Sequence, residues 1–87
     1  MACNFRILSQ QNSESIHLKL RGDFDGSSAF ELLNTLKTYS RNGNKIFIHT
    51  DGLRDVHPFG KAIFQKNFSE FEKRSGRFIF TGEKLAP

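Results

Sequence analysis

Three histidines, His17, His49 and His57, are the residues of this 87-residue chain best suited to proton transfer or metal ligation. Asp51 and Asp55 lie between the last two, and a loop that folded back would gather an acid–base or metal-like set. The spacing matches no helical histidine pair, in which two imidazoles one turn apart share a face. Two half-exposed loop histidines is the simpler expectation. Asp23 and Asp25 could act as paired carboxylates. They could equally shape a turn and favour a helix N-terminus, at about 0.3–1 kcal/mol each. Gly22, Gly26 and Gly52 fall in loops, but neither GxxxxGK[ST] nor GxGxxG occurs. Cys3 is the sole cysteine, which excludes an intramolecular disulfide and a cysteine-cluster zinc site, and no constellation makes it a nucleophile. The expectation is a non-enzyme with no metal or cofactor.

Positioning falls to elements written in the hydrophobic pattern. Phe5 and Ile7 alternate with polar residues, and a polar cluster at 10–13 then breaks the run as a hairpin turn would. Ile16, Leu18 and Leu20 alternate with His17, Lys19 and Arg21, predicting a second strand. Turn residues 22–26 lead into a first helix, with Ser28 and Glu31 at capping-box spacing. Ala29, Leu32, Leu33, Leu36 and Tyr39 form its apolar face, and residues 41–44 supply a basic last turn and a left-handed stop. The continuous run Ile46–Phe47–Ile48 predicts a strand covered on both faces. Residues 51–55 read as a loop, and Pro58 as the first turn of a second helix with a stripe of Ile63, Phe64, Phe68 and Phe71. Residues 72–76 end that helix, and Phe78–Ile79–Phe80 is a last strand. Two strand–helix–strand units after a hairpin predict one domain over residues 1–87. It is an α/β fold with a small mixed sheet of about four strands, a parallel core and two helices.

Composition sets the partner classes. The chain is 37% hydrophobic and 25% charged, so it is globular, and ten Phe without Trp must fill much of the core. Thirteen basic against nine acidic residues give a net charge of +4, but no run of five or six cations occurs. That scatter argues against a nucleic-acid partner and for a charge excess that serves solubility and encounter rates. Residues 1–6 lack the apolar segment of a signal peptide and no stretch is long enough to span a bilayer, so a cytoplasmic location is expected.

Two rings stand outside the pattern. Phe59 lies roughly 110°, and Phe30 about 120°, from the centre of its helix's apolar stripe. Both sit near helix N-termini, which gather at one rim of such a sheet. Loops covering the helix ends would absorb both rings; an aromatic contact patch would expose them.

Residues 18–25, Leu-Lys-Leu-Arg-Gly-Asp-Phe-Asp, resemble the second strand and Gly-Glu-Leu-Asp turn of the STAS family, named for sulfate transporters and anti-sigma-factor antagonists. Residues 29–36 resemble its first helix. Residues 46–60 align without a gap to its buried strand, loop and Asp-Ser-Ser-Gly helix start, and the similarity covers most of residues 15–82. The resemblance implies a non-catalytic protein-interaction module of bacterial transcription regulation. Its partner would be an anti-sigma factor or regulatory kinase, held by Asp51, Arg54, Asp55, His57, Pro58, Phe59 and Lys61, with Phe30 beside them. The departures are specific. Pro58 stands where phospho-switched members carry the acceptor serine, His57 replaces the motif's Asp, Phe59 its second Ser, and His49 a common acidic residue. The family's further helix, strand and helix would start near where this chain stops. The alternative is a small-ligand or nucleotide site in which Arg54, His57 and Lys61 meet an anion at a helix N-terminus. An under-covered sheet face around Phe5 and Ile7, or an open edge beside residues 78–80, further predicts a homodimer.

Overall fold

The alternation of Ile16, Leu18 and Leu20 produces the strand around which the molecule is organised. The structure is a computed structural model that describes residues 4–41, 45–75 and 77–85. Its elements run β1 (Arg6–Gln11), β2 (Ser15–Phe24), α1 (Gly26–Ser40), β3 (Lys45–His49), β4 (Leu53–Val56), α2 (Pro58–Ser75) and β5 (Phe78–Thr81). The sheet order is β1-β2-β3-β5, with β4 also pairing to β2. β1 joins β2 antiparallel, whereas β2–β3, β2–β4 and β3–β5 are parallel. The expected mixed α/β sheet with a parallel core and two helices is present.

It has five strands rather than about four. β2 is ten residues long, and β3 occupies only its first half. Gly22, at φ +90°, breaks the register, and beyond it Asp23 and Phe24 pair with Asp55 and Val56. Residues 53–56, expected in a loop, therefore form β4. Four residues holding two charged side chains gave no periodic signal, and the free backbone of β2 beyond Gly22 decided the outcome.

Ile16, Leu18, Leu20 and Phe24 from β2, Ile46 and Ile48 from β3, and Leu32 and Leu36 from α1 are all sealed from solvent. Phe64 of α2 closes the core, edge-on to Phe24 at 6.0 Å and to Phe80 at 5.9 Å. The helices pack on each other and on this inner face. Phe5 and Ile7 belong to the same side, Phe5 lying edge-on to Phe24 at 5.6 Å, so they are not the under-covered residues that the alternation suggested. The opposite face is the open one. Phe47, expected to be covered on both sides, is only half-buried there, and Leu8 and Ile79 remain 44% and 38% exposed. The left-handed stop at residues 42–44, the helix end at Gly76 and Cys3 lie outside the described residues.

The start of α1 also differs. Asp25, not a Ser28–Glu31 box, is the N-cap, and its carboxylate accepts from the Ser28 backbone N–H at 3.0 Å. Gly60 of α2 seats against this cap. A Cβ on Gly60 would come 2.5 Å from the Asp25 carbonyl carbon and 2.6 Å from its oxygen. Gly60→Ala should therefore force the helix starts apart and lower unfolding free energy by about 1–3 kcal/mol, measured by urea denaturation.

Candidate functional site

The rim where the helices begin holds most of the residues singled out from sequence. Asp25 anchors it. Besides Ser28 N–H, its carboxylate accepts from Ser27 Oγ at 2.8 Å and Ser28 Oγ at 3.1 Å. These bonds hold its pKa far below the usual carboxylate range, so it is charged throughout the physiological span. Asp23 forms a two-pronged ion pair with Arg54, whose Nε and Nη2 donate over 3.1 and 2.9 Å. The Arg54 guanidinium also lowers the Asp23 pKa. The two aspartates thus have separate tasks and do not form a carboxylate pair.

Asp51 lies exposed in the turn after β3, and Asp55 is exposed on β4. The His57 backbone N–H donates to the Phe24 carbonyl at 2.8 Å, which ties the start of α2 to the end of β2. Pro58 opens α2, and the Lys61 N–H closes its first turn onto the His57 carbonyl at 2.9 Å. Phe59 is 70% exposed and Phe30 is 54% exposed. Space for a Cβ on Gly26 ends 3.6 Å from the Phe59 ring, so that ring lies across the start of α1, one turn before Phe30. Loops do not absorb the two rings; they border the outer junction of the helices. Phe30 further lines a shallow groove with Leu33, Asn67 and Phe71.

Sequence reasoning missed the histidine arrangement. His49 turns to neither His57 nor a loop carboxylate for its ring bonds. Its Nε2 sits 2.9 Å from His17 Nδ1, and its Nδ1 sits 2.8 Å from Thr81 Oγ1. A neutral imidazole carries one N–H, so the wire runs one way at a time. Either His17 donates to His49 and His49 to Thr81, or the order reverses. The pairing register was the missing signal: His17 and Phe47 are partners across β2 and β3, as are His49 and Thr81 across β3 and β5. Among the described residues no group of three or more His, Cys, Asp or Glu could hold a metal ion. No helix among them is long and apolar enough to cross a membrane.

No family model matches the sequence, and no curated protein matches it. Among solved structures the chain is similar to one described as "Crystal Structure Analysis of Mglu", with a TM-score of 0.74 and 10% identity. The match covers 88% of this chain and 19% of that one, so this chain spans about a fifth of that protein's length. What the likeness establishes is the fold. At such identity it carries neither activity nor residue roles.

The His49 pKa lies below its ordinary 6.5, first because burial penalises the charged ring, then through repulsion from His17 and Lys19, against a smaller pull from Asp51. A depressed folded-state value means that the unfolded chain binds the proton more tightly. The stabilisation is complete above the unfolded pKa and fades as pH falls through the folded one. Melting temperature should therefore drop between about pH 7.5 and pH 5. His49→Gln, compared by thermal melts at both pH values, should show a smaller drop.

Proposed function

We propose that the chain is a STAS-like protein-interaction module, resembling an anti-sigma-factor antagonist that does not use the family's serine switch. The observation that carries this reading is the pair of exposed rings, Phe59 and Phe30, at the helix N-termini. An exposed aromatic costs hydration free energy in the free protein and is recovered on contact, which is why such residues recur in interface cores. Pro58 has no hydroxyl, and residues 51–62 contain neither Ser nor Thr, so phosphorylation on a serine or threonine in this segment is chemically closed. By resemblance the partner is an anti-sigma factor or regulatory kinase, in a bacterial cytoplasm.

The rival, an anion site at Arg54, His57 and Lys61, is less favoured. Arg54 already has both donating arms on Asp23. A ligand would have to break that ion pair or do without its guanidinium. The rim also presents an outward ring where a ligand site needs a concave pocket.

Phe59→Ala should weaken binding to a candidate anti-sigma partner by about tenfold or more in calorimetry. Its stability cost should stay below the roughly 3–5 kcal/mol of a buried Phe, with Phe64→Ala as the buried reference. Equal stability losses for the two variants would refute the contact role. Homodimerisation belongs to the proposal through β5, which has a partner on one side only among the described strands. Light scattering at micromolar concentration should give twice the 10.0 kDa chain mass; the monomer mass across dilution rules a dimer out.

A further inference from the structure

The cations scattered along the sequence come together on the open face of the sheet. Register places Arg6 beside Arg21, Leu8 beside Lys19, and Ser15 beside Lys45. Lys45 and Arg77 line a depression with Phe47 at one end, and Lys19 and Arg21 line another with His49 at the other. Before the break at Gly22, no strand position on this face carries a carboxylate. Glu14 and Asp51, in turns at its two ends, each line one of these depressions, but no ion pair among the described residues engages any of the five cations. Removing those five from the thirteen basic residues leaves eight against nine acidic ones. With Glu14 and Asp51 counted, this face still carries +3 of the chain's +4, so most of the positive excess lies here.

Between the two cation clusters runs an apolar ridge. His17 stacks on Phe47 at 4.6 Å and 3°, and lies nearly coplanar with His49, edge to edge across their hydrogen bond, with centroids 5.2 Å apart and an 11° tilt. Leu8 and Ile79 flank it, each more than a third exposed. Ser15 to Arg21 covers six residue steps, about 20 Å at a strand's rise, so the clusters bracket the ridge at that separation.

We infer that this open face docks a second protein surface with an apolar centre flanked by carboxylates. It is an interaction site separate from the helix rim. Charge complementarity selects the occupant. A second copy would bring five cations against five, a like-charge juxtaposition that interfaces avoid. A single-stranded nucleic acid would satisfy the cations, but its bases bind by stacking on free ring faces. Within this ridge His17 and Phe47 each give one face to the other, and Leu8 and Ile79 beside them offer a base no ring. A protein offering aliphatic or aromatic side chains between acidic groups satisfies both features.

The test is a titration of the full chain, followed by amide chemical shifts. The probe is a synthetic peptide with a Leu-Phe-Leu centre between Glu pairs; controls are the same peptide with Lys for Glu, and oligothymidylate. Expected are shift changes at Leu8, His17, Phe47 and Ile79 with the acidic peptide, weakened by added salt. Reversal at one end, Lys45→Glu with Arg77→Glu, should reduce affinity at least about tenfold while circular dichroism stays native. Lys19→Glu with Arg21→Glu should do the same from the other end. Equal binding of the Lys peptide, or no binding of the acidic one, overturns the inference. So does tighter binding of oligothymidylate on this face, or shifts there that depend on protein concentration alone.

Discussion

Three of the other four strands hydrogen-bond to β2, and the whole arrangement depends on that one strand being sealed on one side and open on the other. Its even residues, Ile16, Leu18 and Leu20, are buried beneath both helices. At about 25 cal/mol per Å², side chains of this size each favour the folded state by about 1.5–3 kcal/mol. A one-residue slip would exchange them for His17, Lys19 and Arg21. Register is therefore fixed by burial, and fixing it also fixes what the opposite face displays. The hydrogen-bonded histidine pair and the cation rows are consequences of the same alternation that builds the core.

The break at Gly22 gives the strand a second task. A side chain there would meet the Asn4 backbone and would need a positive φ, so glycine answers two requirements at once. Past the break, Phe24 reaches the core, its carbonyl accepts the His57 N–H, and Asp25 caps α1. Gly60 then brings α2 against that cap. The short path from Gly22 to Asp25 accounts for the position of both helix starts, and hence for the ring of Phe59 outside the helical layer.

Much of this was legible where burial is one-sided and long. The period of two in residues 16–21 and the period near 3.6 in residues 29–36 each specify an element and its buried face, and the order of elements then specifies a mixed sheet. The exposed Phe30 and Phe59 were legible for the same reason, as departures from a clear stripe. β4 was not, because its partner is a kink in another strand and only one of its four residues is buried. The open face was misread at Phe47 because an apolar run is equally consistent with cover on one side and an aromatic ridge on the other. The His17–His49–Thr81 wire joins three strands, and no pattern within one strand encodes the register between them.

The rim and the open face meet along β2, where Arg21 of the face stands two residues from Asp23 of the rim, about 7 Å at a strand's rise. At physiological ionic strength the screening length is about 8 Å, so charges at this junction act on one another, while the Lys45 and Arg77 end of the face is screened from it. Within each surface recognition draws on its own groups: two rings and a committed ion pair at the rim, a ridge between cation clusters on the face. Beyond that junction, any influence of one on the other must be mechanical. The available connection is β2 itself, since His17, Lys19 and Arg21 lie on the open face while Asp23, Phe24 and Asp25 hold the rim. A partner that flattened or twisted the sheet would have to move Gly22 to be felt at Phe59. There the backbone is already packed against Asn4 and has little room to yield.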